Sequence, residues 1–159
     1  MEHDEEYQEM KKEYLSFKYN LPNFEKLEED FDLDKISDRN KKFVLLNIRR
    51  VMIEKFTNYS QLFEALLNPV SQSRLLLHML KKIDEEKKIQ MKKFCDILID
   101  YQFEAIKLEL IYDEKREAKF IISAFEKWEN IKKEILEMLD SIDFKAKDSK
   151  NNHENNYFS

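Results

Sequence analysis

Residues Asp84–Tyr112 read "DEEKKIQMKKFCDILIDYQFEAIKLELIY", and the fold turns on the period of their apolar side chains. Met91, Phe94, Leu98, Tyr101, Ala105, Leu108 and Tyr112 recur at alternating steps of three and four. That spacing lines one face of an α-helix. Asp84, Glu85 and Glu86 open the run, where the helix dipole favours carboxylates. With Met91 and Phe94 as heptad positions a and d, position f holds Asp96, Phe103 and Leu110. Position b includes Ile99 and Ile106, and position g includes Ile97 and Ile111. Only position c stays polar, with Lys93, Asp100, Lys107 and Glu114. From Ile97 to Tyr112 the helix is therefore apolar nearly all round. Such a helix is the centre of a bundle, or it turns one face to another chain. Ile99, Phe103, Ile106 and Leu110 are the candidate partner-binding residues.

The same period extends in both directions. Leu45, Ile48, Met52, Phe56, Tyr59, Phe63 and Leu66 predict a helix over 36–67, with a four-step stutter between Met52 and Phe56. Pro69 disfavours helix at Asn68 and closes that element. Ser71 or Ser73 can cap a short helix over "RLLLHMLKK". The stretch around Pro69 thus reads as a bundle corner rather than an active-site loop. Asp113 and Glu114 offer a restart, though a helix running straight through is also consistent with the pattern. The last helix carries Ala118, Ile121, Phe125, Trp128, Ile131, Ile135, Met138 and Ile142 on one side. Near the start, Asn23 after Pro22 can cap "NFEKLEEDF", whose Phe24, Leu27 and Phe31 share a face.

These readings give an all-α fold, an antiparallel helical bundle of three long helices plus one or two short ones. The expected organisation is a flexible or weakly helical leader over 1–20, a bundle domain over 21–144 and a disordered polar tail over 145–159. The 159 residues suffice for one domain with a real core, and the charged fraction of 38% suits solvated helix faces. The order helix, proline loop, helix resembles the helical domain of GINS replication subunits over part of the chain. No motif accompanies it, and that family's small β domain has no room, so no family is assigned.

Composition narrows the chemistry. The chain has no glycine. Phosphate-cradling loops, dinucleotide fingerprints and nucleophile elbows need glycine for φ > 0 or for close backbone approach. The single cysteine, Cys95, cannot form a disulfide or a Cys-based zinc cluster within one chain, and it reads as a buried inert thiol. His78 has no carboxylate three or four residues away, as a Glu-x-x-His iron site requires. Asp96, Asp100 and Glu104 share a helix face. They fit a solvated face, an ion-pair network with Arg49 and Arg50, or a divalent-metal or acid/base site. No cofactor is implied.

The net charge of −5 does not advertise a nucleic-acid partner. Lys81, Lys82, Lys87, Lys88, Lys92 and Lys93 nonetheless cluster around one corner as a candidate basic patch. The opening "MEHDEEYQEM" reads as neither a signal nor a transit peptide, and no apolar run approaches the ~20 residues that span a bilayer. The expectation is a cytoplasmic, non-enzymatic interaction or adaptor protein that binds a protein partner or itself. The alternative is a nucleic-acid accessory factor that uses the lysine corner.

Overall fold

A computed structural model describes residues 2–36, 43–68 and 74–142. The protein is all-helical, with no strand among the described residues. The helices are α1 (Glu2–Ser16), α2 (Phe24–Phe31), α3 (Val44–Leu67), α4 (Arg74–Leu80), α5 (Glu85–Leu110) and α6 (Glu114–Ser141). A 3₁₀ turn, Leu33–Ile36, follows α2. The three long helices of the expected bundle are α3, α5 and α6.

Side-chain contacts fix their directions. Arg49, near the start of α3, reaches the carbonyl of Ala105, near the end of α5. Thr57 meets Gln102, and Phe63 stacks against Phe94, so α3 and α5 run antiparallel. Tyr101 meets Ser123, and Lys93 meets Glu134, so α5 and α6 are antiparallel as well. The core between them is the set of seams read from the period. Leu45, Ile48, Met52, Phe56, Phe63 and Leu66 of α3 are buried, as are Met91, Phe94, Leu98, Ala105 and Leu108 of α5. From α6 come Ala118, Ile121, Phe125, Trp128, Ile131, Ile135 and Met138, with Ile142 just beyond its end. Each large apolar side chain so buried contributes roughly 1.5–3 kcal/mol relative to exposure.

Trp128 sits in an aromatic nest of Phe31, Phe56 and Tyr59. The ammonium of Lys55 lies 5.3 Å from its ring and donates to the carbonyl of Asp30. Phe31 therefore docks α2 across α3 and α6, and Lys132 of α6 binds the Asp30 carboxylate at 2.9 Å.

Helix ends are set without glycine. Asn23, Asp84 and Asp113 each accept the backbone N–H three residues on, from Lys26, Lys87 and Arg116. These are side-chain caps of the kind that aspartate and asparagine form well. The Asp84 carboxyl is held below its ordinary pKa, first by the Lys87 N–H and then by the Lys87 ammonium. Asp32 closes α2 at φ 51, the left-handed stop usually made by glycine, which its short side chain tolerates.

One boundary differs from the sequence reading. The helix expected to begin at Ile36 begins at Val44, and Ile36 instead ends the 3₁₀ turn. The leader, expected to be flexible or weakly helical, is helical. It forms α1, with Tyr14 only 2% exposed and its hydroxyl donating to the Pro22 carbonyl at 2.6 Å. Tyr7 and Tyr14 pack on Phe24, and Tyr7, Met10 and Phe17 line the same core. Their steps of three and four give the helix an apolar stripe strong enough to dock it. The proposed Ser71 or Ser73 cap and the tail over 145–159 lie outside the described residues.

Candidate interaction face on α5

The helix α5 is held on two sides. Toward α3, the Cys95 thiol donates to the Ser60 carbonyl at 3.3 Å, and Gln102 donates to the Ser60 hydroxyl at 3.1 Å. Toward α6, the Tyr101 hydroxyl meets the Ser123 hydroxyl at 2.8 Å, and its ring packs edge-on against Phe120. No described residue covers the third side. Phe103 is 62% exposed, Ile106 60% and Leu110 80%, while Ile99 is half-buried beside them. Three of the four candidate residues thus stand in water in one line. Among the described residues, the bundle does not enclose α5 on this side.

The apolar surface continues past the helix end. Ile111 is exposed, and Tyr112 stacks edge-on against Phe43 with ring centroids 4.7 Å apart. Tyr112, the last residue of the expected seam, is half-open because α5 ends at Leu110 and Ile111 and Asp113 are extended.

The acidic row on α5 resolves differently from its ion-pair reading. Asp96, Asp100 and Glu104 are all exposed, and Glu104 pairs with Lys107 of its own helix at 2.6 Å. Arg49 and Arg50 reach other carboxylates. Arg49 Nε donates to Glu117 at 2.7 Å and its Nη2 to Glu109 at 2.7 Å, while Arg50 holds the second oxygen of Glu109. The sequence reading named these arginines but missed their acceptors. Glu109 is two turns or less beyond that row on another edge, and Glu117 comes from α6. Charge-assisted hydrogen bonds, first from Arg49 and then from Arg50, hold the Glu109 carboxyl below its ordinary pKa. Arg49 and Glu117 are both buried, and Glu117 Oε1 has no hydrogen-bond partner among the described residues. This network ties α3, α5 and α6 together behind the exposed stripe.

The remaining candidates are placed as follows. Cys95 is buried, and desolvation first, then Glu64 and Asp96, pushes its thiol up to about 11, which suits an inert thiol. His78 lies on the exposed side of α4. Among the described residues, no group of three or more histidines, cysteines or carboxylates is arranged to hold a metal ion. In the lysine corner, Lys87 pairs with Asp84, Lys88 with Glu85 and Lys93 with Glu134. Lys82 is half-buried, and Lys81 and Lys92 are exposed. No described helix is long and apolar enough to cross a membrane. No family model, no curated protein and no solved structure matches this chain.

Proposed function

We propose that this protein is a non-enzymatic helical adaptor of the cytoplasm that binds protein through the outer face of α5, in a larger complex or a homo-oligomer. The observation that carries this reading is the exposure of Phe103, Ile106 and Leu110 in one line on α5. Contiguous exposed apolar surface of this kind marks interaction sites, and aromatic residues at its centre are typical anchors. The network of Arg49, Glu109 and Glu117 behind the stripe supports the same reading by fixing the helix that presents it. The lysine corner supports a nucleic-acid partner less well, because Lys87, Lys88 and Lys93 face carboxylates of the same surface.

Photo-crosslinking tests the proposal. A benzophenone side chain placed at position 103 should capture protein on irradiation, whereas one at the exposed position 133 of α6 should not. Excess unlabelled wild-type chain should compete, and excess Phe103→Glu chain should not. Equal capture from both positions would refute the assignment of the face.

A further inference from the structure

We infer that the occupant of the α5 stripe is a second copy of this chain, laid antiparallel across it about a two-fold axis. The inference rests on the reading of the stripe as an interface and adds the identity and direction of the partner.

The stripe has the spacing of a coiled-coil seam of its own. Ile99, Phe103, Ile106 and Leu110 follow steps of four, three and four, which is the alternation of d and a positions. This second seam lies on a different face from the one buried against α3 and α6. Antiparallel pairing sets Ile99 against Leu110 of the second copy and Phe103 against Ile106 of the second copy. The two-fold then generates the same two layers again. A C2 interface must be complementary to itself, and a four-layer seam with this symmetry satisfies that requirement.

The charges at the edge of the stripe select the antiparallel direction. Asp100 and Lys107 lie on the same edge, seven residues apart, and both are exposed. An antiparallel pair brings like edges together. With Phe103 set against Ile106, Asp100 falls about 3 Å along the axis from Lys107 of the second copy, within reach of a lysine side chain. The two-fold makes this ion pair twice. In a parallel pair, Asp100 would instead face the edge that holds Cys95, which is buried, and Lys107 would face Gln102. The opposite edge is already committed. Gln102 is bound to Ser60 and to the Leu98 carbonyl, and Glu109 to Arg49 and Arg50. Within one copy Lys107 pairs with Glu104 of its own helix, an exposed contact of little worth that exchanges readily. Four layers make a short seam, so the dimer is expected to be weak, with dissociation in the micromolar range.

Sedimentation equilibrium on the full chain over a concentration series tests this. The wild type should move from the 19.5 kDa chain mass toward twice that value. Asp100→Lys and Lys107→Asp should each weaken the dimer by about 10-fold or more, because each turns both ion pairs into like-charge pairs. Both sites are exposed, so circular dichroism should show the fold retained. An equimolar mixture of the two variants should recover wild-type affinity, since every facing pair is then of opposite sign. A chain that stays monomeric at all concentrations overturns the inference. So does a dimer that ignores the charge reversals, or one that the mixture fails to restore. A monomeric chain that still shows competed crosslinking from position 103 overturns the second copy alone and leaves the interface reading intact. Loss of both removes both.

Discussion

Replacing Arg49 with methionine should be among the most damaging single changes in this protein, although it touches no part of the exposed stripe. The Arg49 side chain is 3% exposed and the Glu117 side chain 0%, with 2.7 Å between Nε and the carboxylate. Arg49→Met keeps the aliphatic stem but leaves Glu117 buried without its cation, and one Glu117 oxygen already lacks a partner among the described residues. Breaking a buried pair from one side costs about 3–5 kcal/mol, because the surviving charge stays desolvated. For a chain of this size that is a drop in melting temperature of roughly 6–20 °C. Removing both partners is a different perturbation. Arg49→Met combined with Glu117→Leu discards both desolvation penalties, and the double variant should return to within about 1–2 kcal/mol of wild type. The residual loss reflects Glu109, which keeps only Arg50. Urea unfolding followed by far-ultraviolet circular dichroism gives all three free energies, and the double-mutant cycle gives the coupling. Arg49→Met costing under about 1 kcal/mol would refute the reasoning, because it would mean that Glu117 finds water or another partner in the folded protein.

Further outcomes follow from the same contacts. The depressed carboxyl of Glu109 contributes stability above the unfolded carboxylate pKa of about 4.3 and loses it as pH falls through the lower folded value. The melting temperature of wild type should therefore fall more steeply on acidification in that range than that of Glu109→Gln; parallel curves would refute this. Trp128, buried among Phe31, Phe56 and Tyr59, should show blue-shifted emission that moves red on unfolding, and Trp128→Ala should cost about 3–5 kcal/mol in urea unfolding. Deleting residues 1–16 removes Tyr14 from the core and should lower the melting temperature by several degrees; an unchanged melt would show that α1 does not dock.

The bundle was legible because its signals are local and redundant. The seams of α3, α5 and α6 each repeat over six or more apolar residues, and Asn23, Asp84 and Asp113 mark helix starts within one turn of the backbone N–H groups that donate to them. The stripe was legible for the same reason: Phe103 and Leu110 put apolar side chains at the heptad position opposite the seam, which should face water. The docking of α1 was harder to see. Tyr7, Met10, Tyr14 and Phe17 have helical spacing, but glutamates and lysines between them dilute the pattern, and tyrosine is indifferent to burial until a partner such as Phe24 is known. The arginine network was out of reach because its acceptors lie 60 and 68 residues away from Arg49. Which carboxylates meet Arg49 depends on how α5 and α6 rotate about their axes, and the apolar period sets that rotation only coarsely.

The central claim is that the outer face of α5 is an interface and not part of the core. Phe103→Glu combined with Leu110→Glu tests it most directly, measured on one sample by circular dichroism and sedimentation. The account predicts a helical spectrum and a melting temperature close to wild type, because both side chains already stand in water, together with loss of association. Unfolding of the double variant would contradict the account by placing two unpaired charges in a core. A folded variant that associates as the wild type does would contradict it by leaving the stripe without a role.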